Sequence, residues 1–225
     1  VGKSQNTGEM LFERYLAQWG YDDVEHQPSW LNPPKKPDYL IRTASGELGV
    51  EVKSFESWGL FEKLGEEGFA MESLTKTLKP IRDRMAKAAR QLKGISGRPL
   101  VVVLGNPGNR MPLSAPNVIA AMYGDLEFAI PVDREKPGFW RSGRNGELRL
   151  TGQHGIRHGS HAHLSAVAVL RERPAGTGNP AVTMDVFETM SDQCVPLPAT
   201  VFAHEGDTRW GLLGSGQYGL RRPVP

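Results

Sequence analysis

The sequence predicts an α/β fold, from three observations in about its first hundred residues. An amphipathic helix opens the chain, and two apolar runs separated by a turn follow it as a β-hairpin. A long amphipathic helix then leads into a strand covered on both faces. Residues 8–21 carry the first helix: Thr7 offers a side-chain oxygen for the N-cap, Met10, Phe12, Leu16 and Trp19 supply much of its apolar side, and Gly20 closes it. Tyr39-Leu40-Ile41 and Leu48-Gly49-Val50 form the arms of the hairpin, with Ser45-Gly46 as its turn. Leu78, Ile81, Met85, Ala88 or Ala89, and Leu92 recur at helical spacing, with Pro80 placed in the first turn and Gly94 near the end. Leu100-Val101-Val102-Val103-Leu104 is continuously apolar, and Gly105-Asn106-Pro107-Gly108 breaks it.

The rest of the chain is read more coarsely. Trp30 to Pro37 is expected as an extended loop, because proline turns its preceding residue away from helical geometry. Phe55 to Glu72 reads as an irregular insertion or a short helix, Ala115 to Tyr123 as a helix after Ser114, and Phe128 to Val132 as a short strand. Gly138 to Gly159 reads as loops around a hairpin, while Leu164 to Leu170 and Thr183 to Glu188 are further strands, the first of them interior. From about Gly211 the chain is rich in Gly and Pro and is expected as a flexible tail or an arm on a partner.

Composition bounds the function. The 225 residues, 39% of them hydrophobic, suit one sizeable core, so a single domain is expected over residues 1–225, with its core motifs in 8–105 and an extension over 106–225. A net charge of +2 excludes a globally basic, histone-like binder, so any nucleic-acid footprint must come from local clustering. A single cysteine, Cys194, excludes an internal disulfide framework and a cysteine-based zinc site and fits a reducing compartment. No stretch approaches the roughly 20 apolar residues that span a bilayer, and the polar N-terminus lacks a signal-peptide core. The chain is therefore expected to be cytoplasmic, without a membrane partner.

The chemistry concentrates in the hairpin. Asp38 lies on the first arm and Glu51-Val52-Lys53 on the second, bringing two carboxylates to neighbouring strands. Side chains alternate along a strand, so Glu51 and Lys53 share a face while Val52 turns to the other and packs into a core. Two acids and a lysine in one small volume match the needs of a hard divalent cation, which takes a few carboxylate oxygens and keeps water or phosphate oxygens in its other positions. A lysine beside such a site can orient an attacking water and stabilise the charge that builds on a phosphodiester. Repulsion among the acids is expected to raise their proton affinity.

Pro37-Asp38 followed by Glu51-Val52-Lys53 resembles the signature of the PD-(D/E)XK, or restriction-endonuclease-like, nuclease superfamily. The resemblance covers about the first hundred residues. It implies a restriction-endonuclease-like core, a central mixed β-sheet flanked by helices, to which this chain adds C-terminal strands and loops. Members typically carry a glutamate on the helix before the first strand; Glu9 is the residue expected in that place, with Glu13, one turn on, as the second choice. The implied site has Asp38, Glu51 and the Val52 carbonyl holding Mg²⁺ or Mn²⁺, Glu9 assisting directly or through water, and Lys53 orienting the water. The implied activity is metal-dependent phosphodiester hydrolysis, by analogy a DNA endonuclease. In the helix that follows, Lys76, Lys79, Arg82, Arg84, Lys87, Arg90 and Lys93 are interrupted only by Asp83. Lys79, Arg82, Lys87, Arg90 and Gln91 are the residues expected to reach substrate phosphates, with Lys87 and Gln91, one turn apart, as first choices. The implied partners are DNA and a second copy of the chain or a larger nuclease complex.

Plainer readings stand beside this one. The triplet alone is also what a surface hairpin with an ion pair would show. A subunit that cuts only inside a defence, repair or transposition complex would carry the same residues, and a non-nuclease α/β protein could carry the motif by accident. His154, His158, His161 and His163 could share a zinc ion, but Gly155 and Gly159 interrupt them, and they read as a polar loop leading into the Leu164 strand. No nucleophile elbow, phosphate-binding loop or dinucleotide fingerprint is present, and Cys194 reads as a packed thiol.

Overall fold

The computed structural model describes residues 6–29, 36–55, 73–107, 113–124, 126–129, 147–150, 161–172, 182–189, 191–212 and 218–221. The cap of the first helix, α1 (Thr7–Gln18), lies one residue earlier than expected. Asn6 is the N-cap: its side chain accepts the Glu9 N–H at 2.9 Å, and the Glu9 carboxylate receives both the Asn6 N–H and the Asn6 amide. This reciprocal box satisfies donors that a helix start leaves open, and it leaves Thr7 inside the helix, its hydroxyl 3.1 Å from that of Ser54.

Three strands follow: β1 (Val24–His26), β2 (Tyr39–Thr43) and β3 (Gly46–Ser54). Gly46 already pairs with Thr43, so the hairpin turn is Ala44-Ser45 rather than Ser45-Gly46, and Gly46 takes a positive φ of 116° at the start of β3. The second helix, α2 (Leu74–Leu92), is capped by Ser73, whose side chain accepts the Lys76 N–H. Pro80 therefore lies in its second turn, where its missing N–H removes one helical hydrogen bond. The chain continues through β4 (Leu100–Gly105), α3 (Ala115–Tyr123), β5 (Leu126–Ala129), β6 (Glu147–Leu150), β7 (Ala166–Glu172), β8 (Val182–Glu188), β9 (Thr208–Leu212) and β10 (Tyr218–Arg221).

The architecture is α/β. Eight strands form one mixed sheet in the order β1-β2-β3-β4-β7-β8-β9-β10, and β5 and β6 pair antiparallel apart from it. Neighbours β3 and β4, β4 and β7, and β8 and β9 run parallel; the other neighbours are antiparallel. Within the stretch expected from about Gly211 as a tail or arm, the described residues form strand pairs: Gly211 pairs with Gly219 and Trp210 with Leu220, while 213–217 and 222–225 lie outside the described residues. Backbone pairing needs no particular side chain, so the glycines that read as a loop do not prevent a ladder. The strand expected at Phe128 to Val132 is β5, which starts at Leu126; residues 130–132 lie outside the described residues, as do 30–35, 56–72 and most of 138–159.

Alternation along the strands sends one set of side chains to each face of the sheet. Val50, Val52, Val101, Val103, Ala166, Ala168, Met184 and Val186 pack under α1 and Phe202. Val102, Leu104, Val167, Val169 and Phe187 pack under α2 and α3. The N-terminal end of α1 presses on the ends of β3 and β4: a Cβ on Gly105 would stand 2.6 Å from the Gly8 Cα.

The far end of α1 is held by a polar cluster that the sequence did not announce. Asp207, 6% exposed, accepts the Tyr15 hydroxyl at 2.6 Å, the Met184 N–H at 2.7 Å and the His204 N–H at 3.0 Å. Phe202, fully buried with φ of 53°, packs on the rings of Phe12, Tyr15 and Tyr21. Arg209, 7% exposed, donates to the carbonyls of Leu197, Pro198, Ala199 and Val201 and to the Glu188 carboxylate.

Candidate active site

The register between β2 and β3 ends at Tyr39 opposite Val50. Beyond it β3 runs on for four residues with β4 on one side and, among the described residues, no strand on the other. Gly49 and Phe55 turn their N–H groups toward β4, onto Pro99 and Gly105. By alternation Val52 and Ser54 turn theirs to the open edge. There the Asp38 carboxylate stands in for a strand, accepting the Val52 N–H at 2.9 Å. The Val52 carbonyl faces the same edge.

Glu51 and Lys53 point to the α2 face, level with Val102 and Leu104 of β4. The Glu51 side chain is fully buried and that of Lys53 is 16% exposed; the Lys53 ammonium pairs with Glu51 Oε1. Glu51 Oε2 is buried without a hydrogen-bond partner. Burial raises the Glu51 pKa to about 7, the Asp38 charge raises it further and Lys53 opposes both.

The structure thus brings together Asp38, Glu51 and Lys53, with the Val52 backbone between them. Glu9 is held in the α1 capping box, both of its oxygens engaged by Asn6. Glu13 accepts the Tyr39 hydroxyl at 3.1 Å, and that phenol is pushed well above its usual pKa by burial first and then by Glu13, Glu9 and Asp38. Among the described residues, no three His, Cys, Asp or Glu side chains stand together as a metal-holding group. A cation here would have two carboxylates and a carbonyl from the protein.

The basic helix divides. Lys79 is exposed and paired with Asp83 at 2.6 Å, and Lys87 and Arg90 are exposed. Arg82, expected to reach substrate phosphates, is instead 8% exposed and donates to the Ala120 carbonyl, because its stripe of α2 faces α3. Gln91 is half-buried, and its Oε1 has no hydrogen-bond partner. It lies seven residues, two turns on one stripe, from Arg84. Arg84 was absent from the residues expected to contact substrate, yet it reaches the site strand: its Nε donates to the Ser54 carbonyl at 2.8 Å, and its guanidinium lies 4.3 Å above the Phe55 ring. The seven-residue spacing to Gln91 was the available signal. Of the four clustered histidines, His163 hydrogen-bonds the Ala89 carbonyl at 2.9 Å and its ring meets that of His161 edge-on; His154 and His158 lie outside the described residues.

No family model, curated protein or solved structure matches the chain.

Proposed function

We propose that this protein is a metal-dependent nuclease with a restriction-endonuclease-like core, hydrolysing phosphodiester bonds in DNA. The observation that carries the reading is the Glu51 carboxylate: buried, bound by Lys53 at one oxygen, without a donor at the other, and close enough to the Asp38 carboxylate that the two must share a proton or a cation. A buried, unsatisfied carboxylate oxygen next to a second carboxylate is costly unless a proton or a cation joins it. The donor set fits Mg²⁺ or Mn²⁺, since all of it is oxygen and a hard cation completes its shell with water or phosphate.

Asp38, Glu51 and the Val52 carbonyl would hold the ion, which would supply Lewis-acid stabilisation of the charge on the phosphodiester. Lys53 donates hydrogen bonds only, so on the substrate side its ammonium orients an attacking water and offsets negative charge as the bond breaks. Glu9, engaged by Asn6, would act through water. Lys79, Lys87 and Arg90 lie on the exposed part of α2 and would meet backbone phosphates, with Gln91 nearer the sheet. One site per chain cuts both strands of a duplex most simply as a two-fold dimer or within a larger complex.

The test is incubation of the purified protein with plasmid and linear DNA in Mg²⁺, Mn²⁺ or EDTA, beside Asp38→Ala and Lys53→Ala. Metal-dependent cutting that both substitutions abolish supports the proposal, and cutting that survives them overturns the site. An inert wild type that Mg²⁺ still stabilises against heat points to a partner-dependent subunit. No effect of metal at all returns the motif to coincidence.

A further inference from the structure

We propose that Arg84 is a positioning residue for Lys53, locking the open edge of β3 from α2. The role given to Lys53 rests on the nuclease reading; the geometry that holds it does not. Among the described residues, two side chains take the place of a neighbour strand along that edge. Asp38 takes the Val52 N–H at 2.9 Å, and Arg84 supplies the Ser54 carbonyl with a donor at 2.8 Å. Lys53 lies between these two attachments.

Arg84 is fixed on both sides of that bond. Its guanidinium lies over the Phe55 ring at 4.3 Å, and Phe55 is itself fully buried with its N–H on the Gly105 carbonyl at 3.0 Å. From the other face Thr7 meets the Ser54 hydroxyl at 3.1 Å. The backbone that carries Lys53 is therefore held by the Asp38 carboxylate, β4, α1 and α2 together, and α2 holds it by a long side chain. Released from Arg84, residues 54 and 55 would regain torsional freedom, and the Lys53 ammonium would no longer be confined to Glu51.

The test reads Lys53 itself. Acetylation of the folded protein, followed residue by residue by peptide mass spectrometry, is expected to be slow at Lys53 in the wild type. It should become severalfold faster in Arg84→Gln and in Phe55→Leu, while the rates at Lys79 and Lys87 stay constant. Arg84→Lys, which can reach the same carbonyl and rest on the same ring, should restore most of the protection. If Lys53 keeps its wild-type rate in both Arg84→Gln and Phe55→Leu, the assignment is overturned. It is equally overturned if all lysines accelerate together, because the effect would then be general loosening. Failure of the wild type to cleave DNA would sink the enzyme reading alone, since the acetylation result does not depend on turnover.

Discussion

The indole of Trp19 and the imidazole of His204 lie face to face, with ring centres 4.5 Å apart and planes 7° from parallel. The same imidazole meets the Tyr21 hydroxyl at 3.1 Å through Nε2, and that hydroxyl already accepts the Phe202 N–H at 3.0 Å. With the ring neutral and its proton on Nδ1, Nε2 accepts the Tyr21 hydrogen. With the ring protonated, Nε2 becomes a donor and the Tyr21 hydrogen loses its acceptor.

Burial holds the His204 pKa below the usual histidine value, with Asp207 pulling the other way. The unfolded chain therefore takes up this proton first. The stability contributed by neutral His204 is full above the unfolded value of about 6.5 and is lost as pH falls through the lower folded-state value. Urea midpoints measured from pH 5 to 8 should fall on the acid side, and His204→Phe should flatten that fall. Equal slopes for the two proteins would remove the explanation.

Glu51 titrates with the opposite sign. Its folded-state pKa of about 7 lies above the ordinary carboxylate value, so its contribution is fully present below about 4.5 and lost as pH rises through 7. The difference is on the order of 3 kcal/mol. Without divalent metal, Glu51→Gln should be more stable than the wild type at pH 8 and lose that advantage at pH 5. A bound Mg²⁺ would reverse the order by favouring the ionised carboxylate, so wild-type Mg²⁺ affinity should rise with pH up to about 7. Isothermal titration in two buffers of different ionisation enthalpy checks this through proton release.

Gly105→Ala places a methyl group 2.6 Å from the Gly8 Cα, and backbone cannot swing aside as a side chain can. The expected loss is about 3 kcal/mol, at the upper end of overpacking costs. Gly46→Ala has open space around the new methyl but a φ of 116°, so its smaller cost, about 1 kcal/mol, is conformational. Urea denaturation of the pair separates the two causes, and equal losses would contradict the close approach.

Arg209→Lys should behave almost like Arg209→Ala. A buried guanidinium that serves four carbonyls and a carboxylate uses its planar set of donors, and an ammonium has only three hydrogens on one atom. Each substitution is expected to cost about 3 kcal/mol, in the range for breaking a buried ion pair. A lysine variant within experimental error of the wild type would show that the carbonyls find other donors.

Local patterns made part of this fold legible. The apolar spacing of Leu78, Ile81, Met85 and Leu92 located α2, and the run from Leu100 to Leu104 located a strand covered on both faces. Alternation also placed Glu51 and Lys53 on one side of β3 and Val52 on the other. What stayed hidden depends on partners distant in sequence. Asn6 and Thr7 are both sound caps, and the choice between them was settled by Glu9 closing the box and by Ser54 engaging Thr7. Arg82 and Arg84 look alike in a basic helix, yet 200° of helical rotation sends one to α3 and the other to β3. The pairing of β9 with β10 and the attachment of Asp207 to Tyr15 have no local signature, because backbone ladders and buried hydrogen bonds leave residue choice wide.

The hydrogen bond between Tyr15 and Asp207 joins residues 192 positions apart, and Phe12 and Tyr21 meet Phe202 over a similar span. During synthesis the apolar side of α1 therefore emerges long before the loop that covers it. At roughly 5–20 residues per second, that interval lasts on the order of ten seconds or more. Until it ends, Phe12 and Tyr15 can be shielded only by the partial sheet or by a chaperone. Closing so long a loop also makes the last packing step slow relative to formation of the β2–β3 hairpin. Refolding should therefore populate an intermediate in which the Asp38–Glu51 hairpin is built while the aromatic cluster around Phe202 is still open to solvent.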